Sequence, residues 1–185
     1  MLNAQQNQSQ SSQKASPTNQ DTSDKFGLGN DKPKPITENN AMLDHEKFIR
    51  KLYTYAEGQG LDTEKFVSMF SDEGYMLDMA SGTKFRGKAI GDSIAGLASA
   101  FPDLHRELLS IYVAENVVVV ELAVRGTHKG EMALASGTLA PTGKAIYVPC
   151  CDVFHVESGR VSSFHCYNLP SAMLRQLGEK NMRLS

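Results

Sequence analysis

Two consecutive runs decide the fold: Ala145-Ile146-Tyr147-Val148-Pro149-Cys150-Cys151-Asp152-Val153-Phe154-His155-Val156 and Arg160-Val161-Ser162-Ser163-Phe164-His165-Cys166-Tyr167-Asn168. Both are rich in β-branched and aromatic residues, and Glu157-Ser158-Gly159 between them is a hairpin signal. Side chains alternate along a strand. One face of the first run therefore carries Cys150, Asp152 and Phe154, and the matching face of the second carries Phe164, Cys166 and Asn168. An acid, two thiols and an amide share that face with aromatic rings. Cys151, Val153 and His155 fall on the other face, and so does His165, which takes a structural role.

Upstream, Val117–His128 alternates as well. Val118, Val120, Leu122 and Val124 share one face, and Glu121 and Arg125 share the other. His128 has the parity of Val120 and Val124, which places an imidazole at one end of the apolar surface. Leu104–Val113 leads into this strand through a Glu115-Asn116 turn, and Pro141 with Gly143 marks another turn.

Helical periodicity precedes the strands. Ile49, Leu52, Tyr53 and Ala56 recur at i, i+3, i+4 and i+7. Asp44 is placed as N-cap, with Leu43 and Phe48 as a hydrophobic staple. The device repeats with Asp62 as cap, Leu61 and Phe66 as staple, and Gly58 and Gly60 breaking the chain between. A third helix carries Ile90, Ile94, Leu97, Ala98 and Phe101 on one stripe and stops at Pro102. Leu174 and Leu177 suggest a short closing helix. Three helices over a curled antiparallel sheet give an α+β domain, with the natural cavity between helices and sheet.

Composition narrows the function classes. The 185 residues carry 19 Lys+Arg against 21 Asp+Glu, which does not suit a nucleic-acid module. No apolar run approaches the length of a membrane span. Three cysteines, two of them adjacent, make neither a disulfide framework nor a zinc spacing, so reduced thiols and a cytoplasmic location are expected. The N-terminus lacks the features of a secretory signal. No phosphate loop, dinucleotide fingerprint or metal cluster is present, so no cofactor and no metal are implied. Half of residues 1–40 are Gln, Asn, Ser or Thr, and their charges cancel. That segment reads as a disordered polar tail ahead of one domain over 41–185.

The helix–helix–strand–helix–sheet order resembles the nuclear transport factor 2-like cone-shaped fold, and within it the SnoaL-like polyketide cyclases. The residues that carry the resemblance are Phe101-Pro102-Asp103, Gly126-Thr127-His128-Lys129-Gly130-Glu131 and Pro141-Thr142-Gly143-Lys144. Asp152-Val153-Phe154, Glu157-Ser158-Gly159-Arg160-Val161 and Arg175-Gln176-Leu177-Gly178 complete it. It spans roughly residues 44–178. In those cyclases an aspartate is the general acid/base of an aldol closure. The matching position here is Cys166, and the position of their pocket histidine is taken by Asp152.

The pocket positions are also similar to those of ketosteroid isomerases. There an aspartate after the second helix is the base, and a tyrosine and a second acid bind the dienolate oxygen. The resemblance assigns these roles to Asp78, Tyr53 and Asp152. The expected reading is a cofactor-independent isomerase or cyclase acting on a small apolar carbonyl compound. His128, Cys166, Asn168, Phe154, Phe164 and Cys150 are expected to contact the substrate. The alternative is a non-catalytic domain that binds an apolar ligand or mediates dimerisation. Epoxide hydrolysis would need an arginine between two acids, and Arg125 has the outward parity. The outward strip of Cys151, Val153 and His155 is expected to support a homodimer.

Overall fold

A computed structural model describes residues 36–134 and 137–179, and for 36–43 the backbone alone. The polar segment up to residue 35 lies outside the described residues. Four helices and eight strands follow in order: α1 (Ile36–Thr54), α2 (Thr63–Ser68), β1 (Phe70–Asp78), β2 (Thr83–Arg86), α3 (Lys88–Ala100), β3 (His105–Ala114), β4 (Val117–Thr127), β5 (Met132–Leu134), β6 (Gly137–Leu139), β7 (Ala145–Glu157), β8 (Arg160–Tyr167) and α4 (Pro170–Leu177).

Six strands form one curled, unclosed sheet in the order β2-β1-β8-β7-β4-β3, and β5 and β6 form a separate two-stranded ribbon. The expected α+β class is present. Every neighbouring pair in the large sheet is antiparallel except β1 with β8, which run parallel. The β7–β8 turn is the expected one. Ser158 and Gly159 take φ of 50° and 73°, the paired left-handed conformation of a tight hairpin.

Two local expectations meet different outcomes. Asp62 does cap α2, accepting from the Lys65 amide at 2.9 Å. Asp44 is not a cap, because α1 starts at Ile36 and places Asp44 inside the helix. Residues 36–40, with two asparagines, read as tail because their intrinsic helix propensity is poor. The Leu43 side chain lies outside the described residues.

The core lies between the concave face of the sheet and the helices. Ile49 and Leu52 of α1, Ala56 in the turn after it, Phe66 of α2 and Ile90 of α3 are at most 1% exposed, as are Val118, Val120 and Leu122 of β4. Burying each of these side chains larger than alanine contributes about 1.5–3 kcal/mol. Gly58, in the break after α1, lies against the Pro102 carbonyl so closely that a Cβ would collide with backbone. This close approach ties the first helical break to the start of β3, where the Gly58 amide donates to the Leu104 carbonyl at 2.8 Å.

Candidate functional site

Strand register, not sequence spacing, assembles the site. Asp78 on β1 pairs with Cys166 on β8, and Cys166 pairs with Asp152 on β7. Asp152 in turn pairs with Val120 on β4. Asp78, Cys166 and Asp152 therefore form one row across the concave face. The two acids stand two strand spacings apart, about 10 Å between Cα atoms. The next row on one side is apolar: Met76, Phe164, Phe154 and Val118. On the other side Cys150 pairs with Leu122.

Above these rows is a cavity of about 250 Å³. Tyr53, Asp78, Asp152, Cys150, Cys166, Asn168 and Phe164 all line it, so the structure brings these expected residues together. Its remaining wall is mostly apolar, with Phe66, Met76, Ile94, Leu97 and Met173 among the contributors.

Asp152 is 2% exposed and Tyr53 4%. The Tyr53 hydroxyl donates to Asp152 Oδ2 at 2.6 Å, and the Cys150 thiol lies 3.5 Å from Oδ1. Burial pushes the Asp152 carboxyl above its ordinary range, against the opposing pull of the Tyr53 hydrogen bond. Burial, then the nearby carboxyl, holds Tyr53 well above the ordinary phenol value. The Cys166 thiol is pushed far up by its hydrogen bond with Cys150, by burial and by Asp152. The neutral forms of Asp152, Tyr53 and Cys166 are therefore favoured. A protonated Asp152 can donate from Oδ1, the oxygen that Tyr53 leaves free.

Asp78 sits at the end of β1, where the chain turns. Its Oδ1 accepts from the Ala80 amide at 3.0 Å and from Asn168 Nδ2 at 2.9 Å, and its Oδ2 accepts from the Ser81 hydroxyl at 2.7 Å. The same carboxylate both anchors a turn and faces the cavity. Because Asp78 requires a donor from Asn168, the amide orientation is fixed. Asn168 Oδ1 is then left buried without a partner among the described residues. An unpaired acceptor in a cavity wall is costly unless a ligand hydroxyl or amine meets it.

Two expected contact residues lie elsewhere. Phe154 is fully buried but does not line the cavity. Its ring stacks on Phe164 at 4.4 Å between centroids and meets the Tyr53 ring edge-on at 5.8 Å. Tyr53 thus covers it. His128 has the right parity but lies past the end of β4. Phe101 packs over Gly126 and against the His128 ring at 5.3 Å, filling the space that a ligand would need. His128 instead holds the Thr142 turn: its Nδ1 accepts from the Thr142 amide at 3.2 Å, which puts the ring proton on Nε2.

Arg106 was not foreseen. It is 8% exposed, lines the cavity, and donates from Nη1 to the Ala56 carbonyl. Its positive charge opposes the upward shift of both Asp152 and Tyr53. Arg125 does face outward, pairing with Glu107 at 3.0 Å. Among the described residues the arginine that lines the cavity is Arg106, not Arg125.

The raised pKa of Asp152 has a consequence for stability. The unfolded-state value of an aspartate is about 3.9. A group whose folded value is higher contributes stability that is complete below the unfolded value and is lost as pH rises through the folded value. Wild-type stability should therefore decline relative to Asp152→Asn from about pH 4 upward. Chemical denaturation of both proteins across this range tests it. A difference that does not change with pH, or one that favours wild type more as pH rises, would contradict it.

A family model described as SnoaL-like polyketide cyclase matches residues 49–177. No curated protein matches the chain. Among solved structures, AclR, a candidate hydroxylase from Streptomyces galilaeus, superposes with a TM-score of 0.65 at 19% identity, covering 76% of this chain and 89% of that one. A candidate SnoaL-like polyketide cyclase from Jannaschia sp. CCS1 gives 0.65 at 16% identity, with 76% and 95% covered. A hypothetical protein with a ketosteroid isomerase-like fold from Catenulispora acidiphila DSM 44928, bound to trimethylamine, gives 0.59 at 20% identity, with 71% and 93% covered. At these identities the structural likeness concerns the fold, which is the nuclear transport factor 2-like one.

Proposed function

The chain belongs to the SnoaL-like polyketide cyclase family, and on that premise we propose a cofactor-independent isomerase or cyclase that removes a proton next to a carbonyl. Asp78 is the base. Asp152, whose protonated form burial favours, donates to the oxygen of the developing enolate. Tyr53 orients Asp152 from Oδ2. Unlike the arrangement in which a phenol and an acid both touch the oxyanion, here they act in series. Arg106 adds positive charge beside Asp152 as the enolate forms. The observation that carries this reading is the single row in which Asp78 and Asp152 flank Cys166 on the floor of one apolar cavity.

The substrate is a small, largely apolar carbonyl compound, by the chemistry of the cavity wall. A hydroxyl on it would satisfy Asn168 Oδ1. A thermal-shift screen with steroid-like and polyketide-like ketones, repeated on Asp78→Asn and Asp152→Asn, tests the assignment. Binding retained with turnover lost in the variants is expected. One observation favours the binding-module alternative: three donors already occupy Asp78, as they would in a purely structural turn. Ligand binding without turnover in the wild type would select that alternative.

The convex face of the sheet supports a homodimer. Tyr147 and Tyr167 are 48% and 43% exposed there, beside Cys151 and Val153. Sedimentation at micromolar concentration should give a dimer, and a clean monomer would remove this part of the proposal. The three cysteines are free thiols, which fits a reducing compartment such as the cytoplasm. Among the described residues no helix is long and apolar enough to cross a membrane.

A further inference from the structure

We propose that the cavity floor is a binding site for a thiophilic divalent cation of the zinc group, held by Cys150 Sγ, Cys166 Sγ and Asp152 Oδ1. These residues do not have zinc spacing in the sequence. The β7–β8 pairing places them together, with their ligand atoms all within 4.8 Å of one another. Cys150 Sγ and Asp152 Oδ1 are already 3.5 Å apart. Tetrahedral coordination with Zn–S of about 2.3 Å and Zn–O of about 2.0–2.2 Å sets ligand atoms roughly 3.5–3.8 Å apart. Closing the triangle therefore needs movements of an ångström or less, within the reach of cysteine rotation.

The surroundings suit an ion in three further ways. Tyr53 takes Asp152 Oδ2, so Oδ1 is left to the ion and the ligating carboxylate has the outer partner it needs. Asn168 Nδ2 lies 3.8 Å from Cys166 Sγ and can donate to a thiolate there. All three ligands line the cavity, so a fourth position opens toward it and not into packed side chains. Charge also balances. Two thiolates and a carboxylate bring three negative charges, the ion supplies two positive ones, and Arg106 at the cavity wall supplies the third. On binding, the thiol protons and any proton held by Asp152 leave to solvent, with no change of oxidation state. Paired sulfur donors select zinc or cadmium over calcium or magnesium.

The inference goes beyond the proton-transfer reading. An ion on Oδ1 would occupy the oxygen from which Asp152 donates, so the two states exclude each other. Its test is a binding measurement and stands whether or not the protein turns over a ketone. Reduced protein is titrated with cadmium, following the ultraviolet sulfur-to-cadmium charge-transfer absorption, and the ion is then displaced with zinc. One ion per chain is expected, with a rise in melting temperature. The absorption should be lost in Cys150→Ser and in Cys166→Ser and kept in Cys151→Ser, whose thiol has the outward parity. Tyr53→Phe should weaken binding by about 10–100-fold. Thermal melts check that each variant folds, with Cys150→Ala and Cys166→Ala as substitutes if a serine is not tolerated. No absorption in the wild type, absorption intact in a folded Cys150 or Cys166 variant, or its loss in Cys151→Ser would overturn the proposal.

Discussion

Asp78→Asn is expected to lower the rate of proton abstraction by about 10²–10⁴-fold, the usual contribution of a positioned general base. The substitution preserves shape and leaves Oδ1 able to accept from Ala80 and Asn168. Only the second oxygen, which receives the Ser81 hydroxyl, becomes an amide nitrogen. The turn therefore survives, and so should ligand affinity. The loss belongs in the chemical step, so kcat and kcat/KM should fall together. Single-turnover kinetics with any ketone found by the screen measures this. A fall of less than about 10-fold would assign Asp78 to the turn alone, below what a general base contributes.

Phe154→Ala is expected to cost about 3–5 kcal/mol of stability, the range for truncating a fully buried phenylalanine. The ring is 0% exposed, stacked on Phe164 and capped by Tyr53. Its aromatic partners make collapse of the void harder, and each such pair adds about 0.5–1.5 kcal/mol beyond area burial. The melting temperature should fall on the order of 10 °C. Phe154→Leu should recover most of it, since leucine leaves a smaller void. Ligand affinity of the folded Leu variant should match wild type, because Phe154 lies behind Tyr53 and not in the cavity wall. Little destabilisation with markedly weaker binding would return Phe154 to the site.

The strand faces that carry the chemistry were legible in the sequence because alternation along β7 and β8 is unbroken between Cys150 and Phe154 and between Phe164 and Asn168. The register of the neighbouring strands then places Asp78 beside Cys166, a non-local pairing that parity alone does not supply. Arg106 was hidden by a bulge. Counting back from the β3–β4 turn, Ile111 pairs with Val120 and Ser110 with Glu121. A regular ladder would continue to Glu107 opposite Val124 and turn Glu107 inward. The register shift between Leu108 and Ser110 puts Arg106 opposite Val124 instead. The bulge exchanges an acid for a base in the cavity wall, and an irregular run such as His105–Ala114 gives no sign of it. His128 shows the reverse limit. Its parity along the strand is inward, but Phe101 from the end of α3 fills the space beside it. Packing from a distant element decides whether an inward side chain meets a ligand or a neighbour.

Deuterium incorporation at the carbon next to the carbonyl of a bound ketone, followed by NMR in D₂O, tests the central claim most directly, because it requires no knowledge of the product. Wild-type protein should accelerate exchange at that carbon, a competing apolar ligand should suppress it, and both Asp78→Asn and Asp152→Asn should abolish most of it. A ketone that binds in the cavity yet exchanges no faster than in buffer would contradict an acid and a base acting together there.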